Sequence, residues 1–196
     1  MTDILTSLRG RLLGLDRFGR LVCPAGYVSG GDIGATAGAG ITDGVGTVLT
    51  ASQVRQGSLL KTQIFIDLTG LSSSTTDLDV IGVGTVPAYL TQVTAALHGA
   101  PCTGRMICVE VPVGGIADID LYSATVGTAD FDEGIAALTE TAHVTAGAAW
   151  TAGLEKIFTL GVPADNYLYL TGGAAGTAAP YTAGQFLIEL EGYKAP

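Results

Sequence analysis

From about residue 45 to the C-terminus, apolar and polar residues alternate in short runs, the period-2 pattern of strands with one face in a core and one in water. Val45–Val54 and Leu59–Leu68 make a first pair, the second reading Leu60-Lys61-Thr62-Gln63-Ile64-Phe65-Ile66-Asp67-Leu68. Asp77–Ile81 and Ala88–Ala95 follow. Arg105–Val111 and Ile116–Tyr122 flank Gly114-Gly115, a dipeptide suited to a hairpin turn. Leu154–Leu160, Tyr167–Leu170 and Gln185–Tyr193 complete the set. The single helical candidate, Asp132–Glu140, is short. Several strands at regular spacing with glycine turns predict an all-β, antiparallel sandwich or barrel.

The pattern is absent upstream. Leu8–Arg20 mixes leucine with arginine but sustains no helical period, and its glycines break any long helix. It reads as an extended arm fixed by a partner, or equally as a tail that contacts nothing. Gly26 to Gly46 holds eight glycines in 21 positions and reads as a linker. The expected organisation is an arm and linker over 1–44 and a β-domain over 45–196. Charge follows the same division. Residues 1–61 carry a balance of +2, and residues 62–196 a balance of −11, with only Arg105, Lys156 and Lys194 as cations. Arm and body therefore meet different surroundings.

Composition narrows the function classes. The 196 residues carry a net charge of −9, which argues against generic nucleic-acid binding, since that needs a basic face. With 47% hydrophobic residues the chain has ample material for a core and is not expected to be disordered. No apolar run is long enough for a membrane-spanning helix, and Met1–Ser7 lacks the basic and apolar regions of a secretory signal. Only 14% of residues are charged, against a usual quarter, which fits a surface covered by copies of itself or by a partner. Cys23, Cys102 and Cys108 have no CxxC or zinc spacing. They read as buried thiols of a protein made in a reducing cytoplasm, with a Cys102–Cys108 disulfide as the other reading.

Catalytic chemistry finds little support. Asp77/Asp79, Asp118/Asp120 and Glu189/Glu191 are i,i+2 carboxylates on single strands, where a solvated face is simpler than a glycosidase pair across a cleft. Asp130-Phe131-Asp132-Glu133 lacks the spacing and central glycine of a calcium loop. His98, in His98-Gly99-Ala100-Pro101, reads as a surface turn residue, and neither it nor His143 has a second ligand at metal spacing. GxSxG and the phosphate-binding loop are both absent. Trp150 reads as a core or interface anchor rather than a sugar platform. No enzyme activity, metal or cofactor is implied.

The Arg/Leu/Gly arm, the Gly/Ala/Thr-rich β-body and the closing run Tyr181-Thr182-Ala183-Gly184-Gln185-Phe186-Leu187-Ile188-Glu189-Leu190-Glu191-Gly192-Tyr193 together resemble the capsid decoration (cement, head-stabilising) proteins of tailed bacteriophages. The resemblance spans residues 45–193 in style rather than by a diagnostic signature. It implies a jelly-roll-like β-sandwich, trimeric, on the outer capsid surface of the virion, with the major capsid protein as partner. By the same resemblance the arm lies across capsid subunits, with Arg9, Arg11, Leu12, Leu13, Arg17, Phe18 and Arg20 as the binding residues. The competing classes are a head or tail fibre module that binds host glycans and a small glycan-processing enzyme. A fibre shaft would show short repeats, which are absent. A major capsid protein would be longer and carry a long helix.

Overall fold

The structure, a computed structural model, describes Gly14–Leu15, Leu21–Val22, residues 36–100 and residues 102–194. β1 (Gly14–Leu15) and β2 (Leu21–Val22) pair with each other. A single helical turn, α1 (Ala39–Thr42), precedes β3 (Val48–Gln56) and β4 (Leu59–Asp67). Then come β5 (Ser72–Ser73), β6 (Thr91–Gln92), α2 (Ala95–His98), β7 (Cys102–Val113) and β8 (Ile119–Ala124). A 3-10 turn, Ile135–Ala137, leads to β9 (Glu140–Val144) and β10 (Glu155–Ile157). β11 (Tyr167–Gly172), β12 (Ala179–Pro180) and β13 (Ala183–Tyr193) close the chain.

One sheet has the order β10-β7-β13-β4-β3 and a second the order β6-β11-β8-β9, all pairings antiparallel. The expected all-β, antiparallel architecture is what forms. Strands β4 to β13 pair from the outside in: β4 with β13, β5 with β12, β6 with β11, β7 with β10 and β8 with β9. The chain thus behaves as one long hairpin folded across two layers, and β3 extends the first layer beside β4.

Alternation decides which side chains lie between the layers. Ile64 and Ile66 of β4, Met106 of β7 and Phe186, Ile188 and Leu190 of β13 share one buried cluster with Ile119 and Leu121 of β8 and Leu168 and Leu170 of β11. Trp150 meets Phe186 edge-on at 5.2 Å, and its indole N–H donates to the Ile119 carbonyl at 2.7 Å. The sheets therefore form a sandwich over a single core.

Several expectations are corrected. Gly114-Gly115 does not close a hairpin, because β7 and β8 lie in different sheets. The dipeptide instead carries the chain between layers: Gly115 lies under the Tyr181 ring and Ile116 N–H is held by Ser73 Oγ at 3.0 Å. The tight hairpin is Gly57-Ser58 between β3 and β4, where Gly57 takes a φ of +62°. The helix expected at Asp132–Glu140 shrinks to Ile135–Ala137, since Asp132 and Thr139 bracket it with positive φ. Asp77–Ile81 contributes isolated bridges rather than a strand, and Ala88–Ala95 keeps only β6 before turning into α2.

The Gly/Ala-rich stretch does not end as a free linker. Gly38 N–H and Gly40 N–H donate to the carbonyls of Tyr89 and Pro87 at 2.9 and 2.8 Å, and Ile41 is fully buried in the core. A side chain at Gly38 would collide with the Pro87 carbonyl, so close backbone approach explains the glycine there. Among the described residues no helix is long and apolar enough to cross a membrane.

Candidate functional site

The seven arm residues Arg9, Arg11, Leu12, Leu13, Arg17, Phe18 and Arg20, with Cys23, lie outside the described residues. Within them, the outer face of the five-stranded sheet carries an organised row of charged and polar side chains. Register places Ser52, Gln63, Glu189, Arg105 and Ile157 in one row across β3, β4, β13, β7 and β10. Glu189 sits at the centre of this row. It meets Lys61 Nζ at 3.0 Å and Arg105 Nη2 at 2.5 Å, and accepts from Gln63 Nε2 at 2.7 Å. Arg105 reaches on to Glu155 at 3.2 Å, and Lys61 to Glu191 at 3.7 Å. Glu189 is only 3% exposed, so the expectation of a solvated acid is corrected. Burial alone would raise its pKa, but the bonds from Gln63, Lys61 and Arg105 outweigh it and hold the carboxyl below its ordinary value.

Further along this face Gln185 Nε2 donates to Asp67 at 3.0 Å, and Thr69 caps the same carboxylate through its N–H and hydroxyl. A shallow groove of about 280 Å³ opens beside the row, lined by Thr103, Gly104, Arg105, Glu155, Ile157, Glu189 and Glu191. Ile157 and Tyr193 stand exposed on the same face, and Val48 at its β3 edge. This mixed apolar and charged surface is suited to contact with a protein partner. The sequence carried a signal for it, since Lys61 and Arg105 are two of the few cations outside the arm, but only the register brings them to Glu189.

The other carboxylate pairs separate in a different way. Asp77 is exposed while Asp79 is buried and accepts from Ser74 Oγ at 2.7 Å. Asp118 is half-buried, and Asp120 is only 4% exposed although it points away from the interlayer core. Asp120 Oδ1 accepts from Ala146 N–H at 2.7 Å. Burial, with the charges of Asp118 and Asp77 nearby, pushes Asp120 up to about 6 despite that bond, and burial raises Asp118 as well. In the Asp130–Glu133 loop, Glu133 Oε2 accepts from Asp130 N–H at 3.3 Å and serves the turn, while Asp132 accepts from the Ser74 hydroxyl and ties the loop to that distant residue.

Both histidines are buried. His98 is 1% exposed, which corrects the surface-turn reading: it ends α2, its Nδ1 accepting from Thr94 N–H at 3.1 Å. Burial lowers its pKa. His143 Nδ1 lies 3.0 Å from the Leu160 carbonyl, an acceptor only, so Nδ1 carries the proton. Nε2 then accepts from Ser123 Oγ at 2.8 Å, and Ser123 accepts from Asn166 Nδ2 at 3.3 Å. This is the spacing of a nucleophile and its base. Yet Ser123 and His143 are fully buried, and burial lowers the His143 pKa, so the pair braces the core and offers a substrate no approach.

Trp150 is 1% exposed, an anchor of the core. Cys102 and Cys108 are free and buried. They lie six residues apart along one strand, about 20 Å, which rules out a bond between them. Burial pushes the Cys102 thiol up to about 12, leaving it unreactive near neutrality. No family model, curated protein or solved structure matches the chain.

Proposed function

We propose that the protein is a non-enzymatic structural component of a virion: a decoration protein that binds the outer surface of a phage capsid and stabilises it. The observation that supports this reading is the outside-in pairing of β4 to β13, a nesting of strands compatible with the jelly roll expected for such a protein. Viral capsid proteins and lectins share that architecture. Fold alone does not choose between them. A glycan-binding fibre module needs an aromatic platform, and among the described residues Tyr193 is the one exposed aromatic. A hydrolase needs an open nucleophile, whereas Ser123 is sealed. The open, mixed surface of the five-stranded sheet supports contact with a large protein partner.

In this reading the arm, with Arg9, Arg11, Leu12, Leu13, Arg17, Phe18 and Arg20, grips the major capsid protein, and the sandwich assembles as a homotrimer. Three arms on one assembly multiply attachment through effective concentration, so weak single contacts suffice to hold capsid subunits together. Co-sedimentation with undecorated capsids tests it. Full-length protein binds saturably and raises the temperature at which capsids open; a form lacking residues 1–25 binds much less. Absence of binding by either form refutes the reading and puts the glycan-binding fibre module in its place.

A further inference from the structure

The outer face of the four-stranded sheet holds an arrangement that capsid attachment does not use. Thr171 of β11 lies directly across from Asp120 of β8, so both side chains rise from the same face. Two residues further on, Gly173 N–H donates to the Asp118 carbonyl at 2.8 Å, setting Gly173 beside Asp118 in the same way. Gly173 has no side chain, and the two carboxylates lean over the space this leaves. A methyl group there would meet Asp118 Oδ1 at 2.7 Å and Asp120 Oδ1 at 2.8 Å. Asp118 Oδ1 is buried with no hydrogen-bond donor. So is the hydroxyl of Thr171, a fully buried residue. Buried polar atoms are normally satisfied, and two orphans, one on Asp118 itself and one on the residue across from Asp120, call for an explanation.

Nearby positive charge does not supply one. The field of Lys156 reaches both aspartates, but its ammonium donates to the Ala146 carbonyl at 3.2 Å, and Asp77 adds a third negative charge. We propose that Asp118 and Asp120 over Gly173, with Thr171 across from Asp120, form a binding site for a divalent cation, Ca²⁺ by preference. Ca²⁺ accepts six to eight oxygen ligands in irregular geometry and completes its shell with water, whereas Mg²⁺ demands a near-ideal octahedron. Among the described residues no three acidic, histidine or cysteine side chains converge, so the site relies on two carboxylates with neutral oxygens. That places its affinity in the weak class of extracellular modules, with Kd of about 10⁻⁴–10⁻³ M. Asp120 also accepts the backbone N–H of Ala146, so loading tightens the segment leading to Trp150.

Trp150 supplies the readout, because its N–H and indole N–H bond to the carbonyls of Ala117 and Ile119, the residues on either side of Asp118. Full-length protein freed of metal by chelator dialysis is titrated at pH 7.5 with Ca²⁺ and, separately, with Tb³⁺. Ca²⁺ at 10 mM raises Tm by roughly 3–10 °C. Tb³⁺ gives tryptophan-sensitised emission that Ca²⁺ displaces. Asp118→Asn and Gly173→Ala abolish both responses, and Asp118→Asn, which preserves side-chain shape, carries the test should Gly173→Ala fold poorly. A wild type without either response, or responses that persist in Asp118→Asn, overturns the site.

Discussion

Glu189 and Asp120 form a controlled comparison between the two sheets. Each is the outward member of an alternating strand, and they are 3% and 4% exposed. Yet Glu189 titrates below its ordinary value and Asp120 is pushed up to about 6. Burial acts on both in the same direction, so neighbours decide the outcome. On the five-stranded sheet the register delivers Lys61, Arg105 and Gln63 to Glu189. Around Asp120 no cation among the described residues bonds the carboxylate, and the charges of Asp118 and Asp77 add to the effect of burial. The second face is also roofed over. Val80 N–H bonds to Glu133, Tyr89 packs on Tyr167 at 4.9 Å, and the Tyr169 hydroxyl bonds to Val126. One outer face is an open surface whose central acid is paired with cations; the other is closed around acids without a bonded cation among the described residues.

Breaking the balance on each face tests this, and the signs are opposite. Glu189→Gln keeps the shape but removes the charge that Lys61 and Arg105 share; the expected loss is about 1.5–3 kcal/mol in urea unfolding at pH 7. Asp120→Asn keeps an acceptor for Ala146 N–H while removing a desolvated charge. At pH 8 in metal-free buffer it stabilises the protein by about 1–3 kcal/mol, from the rise of the carboxyl to about 6 at 1.36 kcal/mol per unit.

The pH dependence follows with its own sign. Asp120 holds a proton in the folded state between about 4 and 6 that the unfolded chain has released, so its contribution is full below about 4 and lost as pH rises to 6. Glu189, with a depressed pKa, contributes above its ordinary 4.5 and loses that contribution as pH falls through its folded value. His98 and His143 are also depressed, and they cost stability as pH falls below 6.5. The stability difference between Asp120→Asn and wild type isolates the aspartate: it grows from pH 4 to pH 7 and is flat above. The smallest effect belongs to the rim. Glu155→Ala removes only the half-exposed end of the ladder, and denaturation midpoints should not move measurably.

Strand positions were legible in the sequence because alternation is local. The run Ile116–Tyr122 places Asp118 and Asp120 on the outward face, as the structure has it. That this face is covered was not legible, because the cover comes from around residues 78–90 and 126–135, remote in sequence. His98 misled for the same reason: Gly99 and Pro101 mark a turn, but Gly99 packs against the backbone of Gly192 and Tyr193, remote in sequence, and His98 is buried. Gly114-Gly115 has the chemistry of a hairpin, and only the outside-in pairing of distant strands assigns it to a crossing between layers. For the candidate surface, Lys61, Arg105 and Glu189 are visible as charges but meet only through register across three strands.

The most direct test is a site-resolved NMR titration of the side-chain carboxyl carbons of Asp120 and Glu189 in metal-free protein from pH 2.5 to 8. An Asp120 midpoint near 6 and a Glu189 midpoint below 4.5 are expected, although both side chains are almost closed to solvent. Midpoints that coincide, or a Glu189 midpoint above that of Asp120, would contradict the claim that partners rather than burial set the character of the two faces.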